Sequence, residues 1–183
     1  MSFRLYNGNG RLLTGQWGKL VWGAMPLVPI PQTGGKKGVK RSLLVEGAGG
    51  PLGLAVAGAN VHDTKVLGQT LDGVVVKRPK VTKAAPQHLC LDKGYDNPTG
   101  RQAALDHGYR PHIRRIGEEK LDHHGQKRHP ARRWAVERTL GWLSKCRAIL
   151  VRYDKKSENY LGLMQLACSP IWYRRAHSLG VWG

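Results

Sequence analysis

Two carboxylates in this chain have neighbours that suit chemistry. Asp92 follows the apolar run Leu89-Cys90-Leu91 and precedes Lys93-Gly94-Tyr95-Asp96. A carboxylate at the C-terminal end of a strand can face a cleft, and Gly94 permits a close turn there. A turn or cap aspartate fits the position equally well. Glu137 lies within Arg132-Arg133-Trp134-Ala135-Val136-Glu137-Arg138-Thr139, at the border of an apolar stripe and flanked by Arg132, Arg133 and Arg138. An ion-paired surface glutamate is the ordinary role for such a residue, and a catalytic one is the sharper alternative. Carboxylates brought together would supply hard oxygen ligands for a divalent cation. His123, His124 and His129 lack the paired spacing of a structural zinc site, so zinc is not expected. The chain has no Walker loop, Gly-x-Ser-x-Gly elbow or Cys–His protease signature.

Charge is the second feature. The 183 residues carry 30 Lys and Arg against 12 Asp and Glu, a formal charge of +18. Solubility alone asks for a magnitude of only about 2–8, so a polyanionic partner, DNA or RNA, is expected. Lys36, Lys37, Lys40 and Arg41 form one cluster. The segment from Arg110 to Lys155 holds thirteen Lys and Arg against five acids, with Trp134, Trp142 and Tyr153 interleaved. Phosphate contacts would come from the cations, and aromatic faces can stack on unpaired bases. Core packing is the commoner role of such tryptophans and is the expectation here.

Length bounds the chain to one domain, and a hydrophobic content of 40% can supply a core. The cysteines Cys90, Cys146 and Cys168 are three in number and far apart, which speaks against a disulfide scaffold and for a reducing, cytoplasmic setting. No apolar run approaches the roughly 18 residues of a membrane span, and no secretory signal is expected.

The elements that must position these residues can be read from periodicity. Residues 1–35 are rich in glycine, carry Pro26, Pro29 and Pro31, and show no helical period. They are expected to be poorly ordered, with at most a short strand near Leu20–Val21. Ser42–Glu46 and Leu52–Ala57, separated by Ala48-Gly49-Gly50-Pro51, predict a β-hairpin. Val66, Leu67, Thr70, Leu71 and Val74 predict a helix over about 64–75 with Asp63 as its N-cap. Gln87–Leu91 reads as a strand ending at Asp92. Asn97-Pro98 starts a helix that stops at Gly108. Tyr109–Arg114 reads as a strand and 117–130 as a polar loop. A long helix is expected over 132–148, then an extended 149–153. A last helix is capped by Ser157 and ended or kinked by Pro170. The sum is a mixed α/β domain.

Taken in order, these segments resemble the DDE-type insertion-sequence transposases. Gly35-Lys36-Lys37-Gly38-Val39-Lys40-Arg41-Ser42-Leu43-Leu44-Val45 is similar to a strand opening of that family. Leu54–Asp63 resembles its third strand and following turn. Leu91-Asp92-Lys93-Gly94-Tyr95-Asp96 resembles the segment with the second catalytic aspartate. Arg133–Leu143 resembles the helix with the catalytic glutamate, and Arg152-Tyr153 with Glu158-Asn159-Tyr160-Leu161 resembles the family ending. The resemblance implies a ribonuclease H-like mixed sheet flanked by helices over 36–176, between a degenerate segment 1–35 and a tail 177–183. It implies three carboxylates around a pair of Mg2+ or Mn2+ ions, with Asp92 and Glu137 as metal-binding catalytic residues. Water would cut DNA at the element ends, and the freed 3′ hydroxyl would attack target DNA. DNA contacts are expected from Lys36, Lys37, Lys40, Arg41, Arg132, Arg133, Arg138, Lys145 and Arg147, with a homodimer as a further partner state. The first aspartate is absent: Trp22 occupies its place in Trp22-Gly23-Ala24-Met25, and no acid precedes Glu46. The expectation is a truncated or degenerate copy, inactive in cleavage, with a non-catalytic DNA-binding protein as the alternative. An unrelated RNA-binding protein would have no need of the Asp92 and Glu137 contexts.

Binding to duplex DNA should weaken with salt, by a slope of about −0.9 in log K against log salt for each neutralised phosphate. A titration between low and physiological ionic strength checks this, and salt-independent affinity would contradict it.

Overall fold

The computed structural model describes residues 2–6, 12–16, 19–29, 38–78, 81–83, 86–113, 133–178 and 180, with the strands before residue 38 and Arg133 described as backbone. Strands β1 (Ser2–Tyr6) and β2 (Leu12–Gln16) pair antiparallel as a separate ribbon. The main sheet has five strands in the order β5-β4-β3-β6-β7. These are β3 (Lys19–Pro29), β4 (Gly38–Glu46), β5 (Pro51–Gly58), β6 (His88–Leu91) and β7 (Arg110–Ile113). β3, β4 and β5 are antiparallel neighbours, and β6 and β7 add in parallel to β3. The mixed α/β class expected from the sequence is therefore present.

The short strand expected near Leu20–Val21 is instead eleven residues long and forms the middle of the sheet. Its prolines hid it. Proline cannot donate to a ladder, and here Pro26 falls in the register irregularity between Met25 and Val28 while Pro29 ends the strand.

β4 is buried on both faces. Val39, Leu43 and Val45 join a core with Ala135, Val136, Leu143, Ile149, Tyr160 and Met164, whereas Leu44 joins Leu67, Leu71, Leu89, Leu91 and Tyr109. The first core lies under helices α3 (Arg133–Ser144), α4 (Arg147–Leu150) and α5 (Ser157–Ser178). The second lies under α1 (Asp63–Asp72) and α2 (Pro98–Asp106). A bulge in β5, where Leu44 pairs with Gly53 and Val45 with Pro51, turns Leu52 onto the α1–α2 side while Leu54 stays on the other.

The predicted hairpin is present, and its turn is held from within. The backbone N–H groups of Ala48 and Gly50 each donate to the Glu46 carboxylate at 2.9 Å, and Arg175 of α5 pairs with the same side chain. Gly49 adopts φ +91°, the left-handed region that glycine enters without cost.

Four boundaries differ from expectation. His62, not Asp63, caps α1: its Nδ1 accepts from the Thr64 N–H, and Asp63 is the first helical residue. The helix closes at Asp72 because the Gly73 N–H bonds back to the Gln69 and Leu71 carbonyls. The long helix breaks between Ser144 and Arg147, where Lys145 and Cys146 make short-range bonds to Trp142 and Leu143 carbonyls. The break lets Ile149, expected to be extended, sit in α4 with its carbonyl accepting from Arg41 Nη1 at 2.9 Å and Tyr160 Oη at 2.6 Å. α5 runs unbroken through Pro170. Pro170 and Leu166 are both exposed, so the Leu166 carbonyl that loses its helical donor lies on the solvent side. The Asn97 cap and Pro98 start of α2 are as predicted, with Asn97 Oδ1 accepting from Gly100 N–H at 2.8 Å. The three cysteines are free, and burial pushes the Cys168 thiol up to about 12. Among the described residues no helix is long and apolar enough to cross a membrane.

Replacing Glu46 by Ala leaves two turn N–H groups and Arg175 without their partner. Urea denaturation should show a loss of about 3 kcal/mol or more. A change within about 0.5 kcal/mol, the range of ordinary surface substitutions, would contradict this role.

Candidate functional site

β3, β5, β6 and β7 run in the same direction, so their C-terminal ends share one edge of the sheet. Asp92 stands on that edge directly after β6. It is exposed and caps a short 3-10 turn, Lys93–Tyr95, by accepting from the Lys93 N–H at 2.8 Å. Asp63, at the start of α1 beyond β5, accepts from Lys40 Nζ at 2.6 Å, and the same ammonium donates to the Val61 carbonyl at 2.8 Å. Tyr95 is buried beneath this edge. Burial pushes its hydroxyl well above the usual tyrosine range, and the negative charges of Asp63 and Asp92 push it further. Tyr95 and Asp63 are not among the site residues expected from the sequence, and Lys40, expected to contact DNA, is engaged here with Asp63. The motif Asp92-Lys93-Gly94-Tyr95 was the available signal for Tyr95, whereas the Lys40–Asp63 pair joins residues 23 positions apart.

Position 22 lies on β3, where Trp22 pairs with Leu44 and the preceding Val21 pairs with Cys90 of β6. Its backbone therefore comes level with Leu91, one residue short of Asp92, on the neighbouring parallel strand. Glu137 is on α3, which packs over β3 and β4. Ala135, Val136, Thr139 and Leu143 form the buried stripe of that helix and Glu137 is exposed beside it. α3 is fixed to the β4–β5 turn by Thr139 Oγ1 donating to the Gly49 carbonyl at 2.7 Å and by Arg138 donating to the Ala48 carbonyl. Leu20 pairs with Glu46 on one side and with Leu89 on the other, so the turn begins level with the residue three before Asp92. The described contacts tie Asp92 to the turn that carries Tyr95, Asp63 to Lys40, and the Glu137 turn of α3 to the hairpin.

The basic residues separate by burial. Arg41 is 5% exposed: its Nη1 is bound to the Ile149 carbonyl, and burial lowers its pKa against the opposing influence of Tyr160. The expectation of a DNA contact is corrected there, because Arg41 shares the β4 face of Val39, Leu43 and Val45 that α3–α5 cover. Lys40 is partly buried and engaged with Asp63. Arg138, Lys145 and Arg147 are exposed. Lys36, Lys37, Arg132 and the three histidines of 117–130 lie outside the described residues, and Arg133 opens α3 as backbone. The tryptophans depart from the core expectation: Trp134 is 52% exposed and Trp142 42%. Both fall off the buried stripe of α3. The Arg138 guanidinium lies 4.8 Å from the Trp134 ring and 5.5 Å from the Trp142 ring.

With this geometry in hand, the chain can be set among known proteins. Residues 26–171 match the family model of the transposase DDE domain. The chain belongs to that family and is a DDE-type transposase of the insertion-sequence kind. It is 28% identical over 178 residues to a Burkholderia cepacia protein whose name assigns it as the transposase for insertion sequence element IS402, covering 90% of this chain and 79% of that protein. The matched segment contains Asp92 and Glu137 and begins downstream of Trp22. Transposases of this class act on DNA and generally use divalent cations. Among the described residues no group of three or more His, Cys, Asp or Glu side chains gathers to hold a metal ion.

Because both carboxylates disfavour the Tyr95 phenolate, Asp92→Asn should let Tyr95 ionise at lower pH than in the parent protein. A Tyr95 ring titration followed by NMR reads this. An unchanged titration would contradict the placement of the Asp92 charge beside that hydroxyl.

Proposed function

We propose that this chain is a transposase with a ribonuclease H-like domain that binds DNA but lacks a complete catalytic centre. In this reading Asp92 is the second carboxylate, Glu137 the third, and position 22 the first. Metal-dependent strand cleavage and strand transfer is the activity of the family. DNA binding without cutting is what this chain retains. The order of antiparallel strands β3–β5 followed by parallel β6 and β7, with helices on both faces, supports the fold assignment.

One observation carries the proposal. The backbone register sets position 22 on the strand beside β6 and level with the residue before Asp92, and the residue that stands there, where the family resemblance expects the first aspartate, is Trp22. An indole has no oxygen with which to bind a hard cation. Asp63 does not replace it, because its carboxylate is paired with Lys40. Two carboxylates do not position two ions for in-line displacement. The basic surface left on the protein, Arg138, Lys145 and Arg147 among it, supports DNA binding that is independent of cleavage.

The test is cleavage of DNA bearing the element ends, in Mg2+ or Mn2+, by this chain and by Trp22→Asp. The parent should not cut, and activity gained in Trp22→Asp would support the missing-carboxylate account. Robust cutting by the parent that Asp92→Ala abolishes would overturn it, since another residue would then complete the site.

A further inference from the structure

We infer that the exposed Trp134–Arg138–Trp142 ladder on α3 is a stacking platform for an unpaired nucleobase of bound DNA, an inference that rests on the DNA-binding reading above and adds a specific contact to it. The three residues are spaced i, i+4, i+8 and occupy one exposed side of the helix. The two rings, 52% and 42% exposed with the Arg138 guanidinium between them, form a continuous flat surface open to solvent. The ladder is also rigid. Arg138 sits 4.8 Å and 5.5 Å from the two rings and donates to the Ala48 carbonyl, and one turn of the same helix is locked by the Thr139–Gly49 hydrogen bond and the buried Ala135 and Val136.

A role within the fold does not account for it. Among the described residues, neither ring is part of a core cluster. Gly141, next to Trp142, has open space where a Cβ would stand, so no neighbour in the fold demands a glycine at a helix position that glycine weakens. Its missing side chain leaves room for a flat group to approach the ladder from outside.

Charge selects the occupant. The chain carries +18, the ladder is centred on a guanidinium, and Lys145 is exposed just past the end of α3. The complementary partner is an anionic polymer that presents aromatic faces. Paired bases in a duplex bury those faces in their own stack, whereas an unpaired base exposes them to tryptophan and arginine.

The experiment measures the affinity of the full chain for three probes with equal phosphate number: oligo-dT, an abasic strand and a blunt duplex. The parent should prefer oligo-dT over the abasic strand by about tenfold or more. Trp142→Ala and Trp134→Ala should bring that ratio close to one, Trp142→Phe should keep most of it, and duplex affinity should stay within about twofold because phosphate contacts are untouched. An unchanged ratio in both alanine variants would overturn the platform, as would equal weakening on all three probes that Trp142→Phe fails to restore. If the alanine variants alter sedimentation while oligonucleotide binding stays the same, the rings serve a second copy of the chain and the platform is wrong. A parent that binds the duplex but shows no preference for bases removes the platform alone. A parent that binds no DNA removes the DNA reading and the platform together.

Discussion

The two-sided burial of β4 is the constraint from which the rest follows. Leu43, Leu44 and Val45 are wholly buried on alternate faces, each stabilising the fold by about 1.5–3 kcal/mol, so both faces of the sheet need a helical cover. The two buried charged residues of this strand, Arg41 and Glu46, fix where one cover sits. Arg41 reaches the Ile149 carbonyl of α4, and Glu46 pairs with Arg175 of α5. Buried charges must be matched, and each match ties one end of β4 to the α3–α5 layer. α3 is held over the same strands, so its buried stripe is settled by the core and its outer side is fixed in what it presents: Glu137, Arg138, Trp134 and Trp142.

What the sequence made legible was local chemistry. Asn97-Pro98 announced a helix start because an amide cap and a residue lacking N–H suit that place together. Gly49-Gly50 announced a turn because it calls for a positive φ, which Gly49 adopts. The Asp92 context read correctly as a strand end. What was hidden depends on partners distant in the chain. β3 shows no alternation around its prolines, and only pairing with β4 and β6 makes it a strand. Arg41 looked like one more surface cation, since its carbonyl partner lies 108 residues away. The tryptophans suited a core by type, but the helical phase set by Ala135, Val136, Thr139 and Leu143 turns them outward. Pro170 suggested a break that an exposed carbonyl at Leu166 makes affordable.

The proposed loss of catalysis is compatible with an intact fold, because the two would rest on different groups. Position 22 contributes to the sheet through backbone pairing with Leu44, which does not depend on side-chain type. On the reading proposed above, an acid at that position would be exchanged for tryptophan with the ladder and both cores left in place, while the oxygen ligands of a two-ion centre would be removed. The Lys40–Asp63 pair and buried Tyr95 belong to the C-terminal edge of the sheet.

Metal stoichiometry tests this account most directly. Titration of the purified chain with Mn2+, read by EPR of the free ion, should show no more than one weakly held ion, with binding strengthened in Trp22→Asp. Two Mn2+ ions held together by the parent, and lost together in Asp92→Ala and in Glu137→Ala, would contradict the account, because the site would then be complete without a carboxylate at position 22.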